Sequence, residues 1–287
     1  MRKALIALAL CAPATPAMAQ ATRQAEAART ETAEPVRASK IILVGDSTTA
    51  VGSGWGSAFC SYRVTHALAC LNLARGGRST FSYRAEGSWD IALGEMKTPG
   101  YAHVWVLIQF GHNDQPGKPG RSTDLATEFP ANLRRYVAEA RAAGAIPVLV
   151  TPLTRRMWKD GALDRDLDPW ADAVRAVAAE MHVPLLDLNA RSAAIVEAMG
   201  PGTSLMLAEV PASPEVGAAA TIDRRTIAST TGAPTAAAVP SGGYRVGRMN
   251  RPFDYTHLGD WGARLFAGVV TDELVRAVPD MRGMLLP

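Results

Sequence analysis

Short apolar runs recur along this chain, most of them ending at glycine or proline, with longer stretches of helical pattern between them. Residues 41–44 (Ile, Ile, Leu, Val) stop at Gly45, and residues 71–74 are followed by Gly76 and Gly77. Residues 103–110 stop at Gly111, residues 146–150 are followed by Pro152, and residues 184–188 make a fifth run. Helical spacing fills 55–68, 129–143 and 169–181, and a last helical stretch covers 258–275. Runs this short are strands rather than helices. Their near-continuous apolar character predicts burial on both faces, so the pattern predicts a parallel sheet covered by helices on each side.

The ends of the chain and its charge narrow the class further. Arg2 and Lys3 precede an apolar run, and Ala17-Met18-Ala19 offers small residues where signal peptidase reads them. Residues 1–19 are therefore expected to be a secretory signal peptide, with the protein exported to the periplasm or secreted. The run is too short for a membrane span, so no stable membrane anchoring is expected. Residues 20–39, rich in Ala, Glu, Thr and Arg, read as a disordered linker, and 40–287 as one folded domain. The formal charge is +3 and falls to +1 without the leader, which gives no electrostatic case for nucleic acid. Cys60 and Cys70 remain after the leader. In an exported chain they form either a disulfide, worth about 3 kcal/mol, or two buried thiols. Residues 200–253 carry many Ala, Thr, Ser, Pro and Gly and little periodicity, and read as an insert, poorly ordered over 205–245.

Four motifs carry chemistry. Gly45-Asp46-Ser47 follows the first strand, where a serine can point into the crevice beyond the strand ends and its N–H, near the next helix start, can face an anion. Asp and Ser are equally good helix caps. Gly76-Gly77-Arg78-Ser79 follows the second strand, and a glycine N–H there can bind an oxyanion or simply make a tight turn. Gly111-His112-Asn113-Asp114 follows the third, and the Asn113 amide can donate to developing negative charge or form an Asx turn. Asp254-Tyr255-Thr256-His257 puts a carboxylate and an imidazole three residues apart, close enough for the acid to hold Nδ1–H and leave Nε2 as base; Asp254 could also cap the next helix. His66, His103, His112 and His182 lack such a partner and read as structural or exposed.

Together these motifs resemble the SGNH (GDSL-type) hydrolases, whose four blocks supply Ser, Gly, Asn and His; Ser47, Gly77, Asn113 and His257 match them. Residues 45–50, 54–56, 77–87, 110–114 and 254–257 look more narrowly like rhamnogalacturonan acetylesterases, the resemblance spanning 40 to about 200 and then 254–275. The long 200–253 stretch departs from that pattern. The resemblance implies a three-layer α/β/α sandwich with a five-stranded parallel sheet, a flavodoxin-like fold, and ester hydrolysis without metal or cofactor. It implies Ser47 as nucleophile, His257 as base, Asp254 as its orienting acid, and the Ser47 and Gly77 N–H groups with the Asn113 amide as oxyanion hole. The expected partner is an acetylated polysaccharide such as pectin or rhamnogalacturonan. A lipid esterase, lysophospholipase or thioesterase is the alternative on the same fold, and a carbohydrate-binding pseudoenzyme a further one. Arg78, Tyr83, Arg84 and Trp89 after the second strand, and Arg155, Arg156 and Trp158 after the fourth, are candidates for contacting sugar rings and uronate carboxylates. Of these, Arg78, Tyr83, Arg84 and Trp158 are the expected substrate-binding set.

Overall fold

The computed structural model describes residues 16–31, 37–228 and 252–287. The chain divides into two compact units, 1–37 and 38–287. In the first, a helix α1 runs over Pro16–Glu31, through both the expected cleavage point after Ala19 and the stretch read as a linker. Its Ala, Gln and Arg content favours helix, and residues 17–25 are exposed to solvent. The rest of the leader, 1–15, lies outside the described residues.

The second unit begins with β1 (Ser39–Gly45), α2 (Gly56–Tyr62), β2 (Leu68–Asn72), α3 (Ser82–Ala85), α4 (Ser88–Met96) and β3 (Val104–Gln109). It continues with α5 (Glu128–Ala142), β4 (Ile146–Val150), a hairpin of β5 (Trp158–Lys159) and β6 (Ala162–Leu163), α6 (Asp168–Met181) and β7 (Leu185–Leu186). α7 (Leu188–Ser204), α8 (Pro214–Thr221) and α9 (Asp260–Ala277) follow. Five strands form one sheet in the order β2-β1-β3-β4-β7, every pair parallel.

Alternation along each strand builds two cores. Ile41, Leu43, Trp105, Leu107, Val148 and Val150 face the side covered by α2, α7 and α9. Ile42, Val44, Val106, Ile108 and Leu149 face α4, α5 and α6. The helices answer with stripes at helical spacing: Phe129, Leu133, Tyr136 and Ala140 on α5, and Ala263, Phe266, Val270 and Leu274 on α9. Each such large side chain contributes about 1.5–3 kcal/mol when fully buried. Three layers around a five-stranded parallel sheet is the architecture the sequence predicts. Cys60 on α2 and Cys70 on β2 are joined in a disulfide, their Cα atoms 5.4 Å apart, which ties the edge strand to its covering helix.

The stretch read as an insert is different from expectation over its first part. α7 is interrupted at Gly200, whose φ of 75° is left-handed, and resumes at Pro201. α8 is capped by Ser213, whose hydroxyl accepts the Val216 N–H. Leu205, Val216, Ala220 and Phe253 then pack into a third small core. The apolar residues here are few but spaced for helices, and the alanines between them favour helix. Residues 229–251, where the remainder of the expected disorder falls, lie outside the described residues.

Candidate active site

In a sheet of this order, loops leave opposite ways on either side of the β1/β3 boundary, and the crevice opens there, beyond the strand carboxyl ends. β1 and β3 are in register with Gly45 beside Gln109, so the loops bearing Ser47 and Asn113 start level with each other. A Cβ on Gly45 would come within 2.7 Å of the Gln109 carbonyl oxygen, so only glycine lets the two strands close at this point.

The serine loop is fixed by polar contacts rather than by a helix cap. α2 starts only at Gly56, nine residues beyond Ser47, which departs from the expected proximity to a helix start. Asp46 Oδ1 accepts both the N–H and the hydroxyl of Thr48 at 2.8 Å, and the Asp46 carbonyl accepts Thr49 and Ala50 N–H. Gln109 Oε1 accepts from Trp55 Nε1 at 2.8 Å and from Thr49 Oγ1. Ser53 Oγ donates to the Ser47 carbonyl at 2.8 Å, while the Ser53 carbonyl accepts the Leu258 N–H at 2.9 Å. Ser53 thus couples the serine loop to the residue directly after His257. Ser47 Oγ itself makes no hydrogen bond to His257.

Asp254 and His257 meet within one tight turn. Asp254 Oδ2 lies 2.7 Å from His257 Nδ1, and its Oδ1 accepts the N–H groups of Thr256 and His257, each at 2.7 Å. Burial pushes the Asp254 carboxyl up, but these contacts and the imidazole outweigh it and take it down to about 2. The acid is ionised at neutral pH and holds Nδ1, leaving Nε2 as the available nitrogen. The turn is backed by the segment after α7: Glu209 N–H donates to the His257 carbonyl, and Gly259 N–H to the Leu207 carbonyl.

Three loops carry the donors that the sequence assigns to an oxyanion. Gly77 adopts φ +79°, a left-handed conformation that glycine takes freely. Among the described residues, neither its N–H nor that of Ser47 is taken by another group. Asn113 Nδ2 donates to the Arg78 carbonyl at 3.0 Å, which brings the amide to the Arg78–Ser79 peptide, next to Gly77, and leaves its second proton free. Asp114 then ties the two loops together. Its Oδ1 accepts the N–H and hydroxyl of Thr80 at 3.0 and 2.5 Å and the Thr123 hydroxyl at 3.1 Å. Burial pushes Asp114 up to about 7. His112, buried against the serine loop, has Nδ1 3.4 Å from Asp46 Oδ2, and burial holds its ring below the ordinary imidazole value.

The expected substrate-binding side chains fare differently. Tyr83 is fully buried, its hydroxyl donating to the Leu73 carbonyl inside the second core. Arg84 forms a bidentate pair with Glu139 and lies over the Tyr136 ring. Trp158 is buried in the first core, its main-chain N–H bound to Thr226 Oγ1 at 2.6 Å and its carbonyl to Thr226 N–H. Tyr83 and Trp158 pack into the cores and Arg84 packs on α5, because an aromatic face or an arginine fork is as useful inside the protein as to a sugar. Trp89 goes the same way, with its indole N–H on Glu139. Arg155 is neutralised by Asp166, and Arg156 is buried. Arg78 is half-buried beside Gly77 and bound to Glu86. Gln109, Ser53 and Asp114 lie outside the set of site residues the sequence suggests. Asp114 stands next to Asn113, but a lone Gln inside a strand and a Ser in a loop carry no sequence signal. Among the described residues no group of three or more His, Cys, Asp or Glu could hold a metal ion, and no helix is long and apolar enough to cross a membrane.

The sequence profile of the GDSL-like lipase/acylhydrolase family matches residues 43–207. The rhamnogalacturonan acetylesterase RhgT of Bacillus subtilis (strain 168) is 38% identical over 176 residues, covering 58% of this chain and 72% of that protein. A probable rhamnogalacturonan acetylesterase of the same organism, YesY, is 34% identical over 170 residues, covering 57% and 76%. Among solved structures, the Bacillus subtilis protein YxiM superposes with a TM-score of 0.57 at 23% identity, over 88% of this chain and 59% of that one, a likeness of fold.

Proposed function

Since the chain belongs to the GDSL-like lipase/acylhydrolase family, and is on that ground a carboxylic ester hydrolase, we propose that it removes acetyl groups from an acetylated plant polysaccharide, pectin or rhamnogalacturonan. The observation that carries the chemistry is the 2.7 Å contact of Asp254 with His257 Nδ1. It is joined through Ser53 to the loop that bears Ser47. The substrate class rests on the identity with the two relatives named for rhamnogalacturonan.

In this reading Ser47 Oγ attacks the acetyl carbonyl carbon as His257 Nε2 takes its proton. The carbonyl π electrons move to oxygen, which the Ser47 and Gly77 N–H groups and Asn113 Nδ2 receive. Such donors act on charge that exists only in the transition state, which is why they raise kcat. The intermediate collapses, the sugar oxygen leaves with the proton from His257, and an acetyl ester remains on Ser47. Water, deprotonated by the same nitrogen, attacks the acetyl carbon, the bond to Ser47 Oγ breaks, and Oγ takes the proton back from His257 as acetate leaves. Asp254 keeps Nδ1 protonated throughout and stabilises the imidazolium.

Arg78 is the side chain we assign to an acidic sugar. Its pair with Glu86 is partly exposed, so little is lost when a uronate carboxylate replaces Glu86. We further propose export, on the leader-like residues 1–19 together with the Cys60–Cys70 disulfide, which suits an oxidising compartment. The test is acetate release from acetylated rhamnogalacturonan, acetylated xylan and long-chain esters. The expected order puts rhamnogalacturonan first, with Arg78→Ala losing more kcat/KM on it than on a small neutral acetyl ester. Preference for long acyl chains would overturn the substrate while leaving the serine chemistry intact.

A further inference from the structure

Arg156 is 1% exposed, and among the described residues it forms no ion pair. Its fork instead reaches the back of the turn that carries Asp254 and His257. Nη2 donates to the His257 carbonyl at 2.8 Å and to the Asp254 carbonyl at 3.3 Å, and Nη1 donates to the Thr256 carbonyl at 3.3 Å. The Arg156 main-chain N–H donates to the Tyr255 carbonyl at 2.9 Å. Four consecutive carbonyls, 254 to 257, are therefore bound by one residue.

The same turn is gripped on its inner side by Asp254, whose Oδ1 binds two N–H groups and whose Oδ2 meets Nδ1. The carboxylate organises the donors of the turn and the guanidinium organises its acceptors. Burying a cation without an acid in contact is costly, and an apolar side chain of similar length would fill the space without that cost. An apolar chain would also leave the carbonyls of 254 and 256 without these donors and that of 257 with the Glu209 N–H alone, so that the turn could tilt. A lysine would keep the charge, but three carbonyls met by two separate Nη groups suit a rigid fork and not a single ammonium.

We propose that Arg156 is a positioning residue that fixes the Asp254–His257 pair from behind, so that His257 Nε2 stands in line with Ser47 Oγ. The inference rests on the Ser47–His257–Asp254 reading above. Arg156 acts only through the turn, and takes no part in binding substrate.

The test uses the full-length protein with Arg156→Met and Arg156→Lys. For Arg156→Met, kcat on a small acetyl ester is expected to fall about 10²-fold, the scale of a misplacement near 1 Å. KM should stay within about twofold, since no ground-state contact to substrate is lost. Arg156→Lys should lose about tenfold in kcat. In both, the downfield proton resonance of His257 Nδ1, sharp in the wild type, should broaden. A folded variant with wild-type kcat and an unchanged resonance overturns the proposal, and so does a loss confined to KM. If neither variant folds, the wild type decides: slowly exchanging Arg156 Nη protons support the brace, and rapidly exchanging ones overturn it. Failure of the underlying reading looks different. A wild type inactive on every acetyl ester, with a sharp Nδ1 resonance that Arg156→Lys broadens, would sink the esterase assignment and leave the brace standing.

Discussion

Asp254→Asn exchanges one side-chain oxygen for an amide nitrogen, and the structure says what each atom then faces. The retained oxygen would still accept the Thr256 and His257 main-chain protons that Asp254 Oδ1 now receives at 2.7 Å, so the turn should survive. The amide nitrogen would face His257 Nδ1 at the 2.7 Å where a carboxylate oxygen stood. It carries protons and no lone pair for Nδ1–H, so the imidazole turns to the tautomer with its proton on Nε2. That is the nitrogen required to take the Ser47 proton. The expected loss is about 10⁴-fold in kcat, or about 5.4 kcal/mol of transition-state stabilisation. The cost in stability should be small. Holding the Asp254 carboxyl down to about 2 from 3.8 sets a ceiling of about 2.5 kcal/mol. Because 37% of the side chain is exposed, screening reduces this to about 1 kcal/mol or less. The sign follows from the depressed value: the contribution is present above about pH 4 and is lost as pH falls from there towards about 2. Steady-state acetate release at pH 7, alongside thermal unfolding at pH 7 and pH 2, measures both effects. A folded Asp254→Asn protein within tenfold of wild-type kcat would refute the tautomer argument.

Three further outcomes follow from the same geometry. Asn113→Ala should lose about 10²–10³ in kcat with KM changed less, because its free amide proton meets charge that develops only in the transition state; steady-state kinetics would contradict this with an effect confined to KM. Asp114, pushed up to about 7 by burial, makes the folded chain bind more protons than the unfolded one between about pH 4 and 7, so stability should fall as pH rises through that window. Urea unfolding across the window should show a flatter profile in Asp114→Asn, and an unchanged slope would assign the dependence elsewhere. Deleting 205–221 should abolish cooperative unfolding, since it removes Leu205, Leu207 and Val216 from buried positions and strips the Glu209 segment from behind His257; a folded, active deletion would show that this stretch is dispensable.

The sheet is legible where a strand is buried on both faces. The runs at 41–44, 103–110 and 146–150 coincide with β1, β3 and β4 to within two residues, because a central strand buried on both faces suits such short, mostly apolar segments. β2 lies three residues earlier than expected, at Leu68–Asn72, and α2 stops at Tyr62 instead of running to 68. There Cys60, Val64 and Leu68 keep a helical spacing across the turn, four residues apart each time, so periodicity alone runs the two elements together. α4 is absent from the sequence reading, although Trp89, Ala92 and Met96 stand at helical spacing on its buried face. At the site, Asp254 and His257 can be paired from sequence because both groups belong to one turn. The orientation of Tyr83, Arg84 and Trp158 cannot, since residue type says which surfaces a side chain can satisfy and not which one it meets. Arg156 shows the same limit: its residue type suggests a cation facing substrate or solvent, and only the four carbonyls behind the turn explain its burial.

In this mechanism Ser47 carries the acetyl group during turnover. Rapid quenching of the protein with an activated acetyl ester, followed by mass spectrometry of the peptide containing Gly45, Asp46 and Ser47, measures that directly. The expected result is acetylation of Ser47, formed faster than acetate is released at steady state and absent from Ser47→Ala. Acetate release by folded Ser47→Ala at a rate near wild type, or acetylation at another residue that turns over as fast as the reaction, would contradict it.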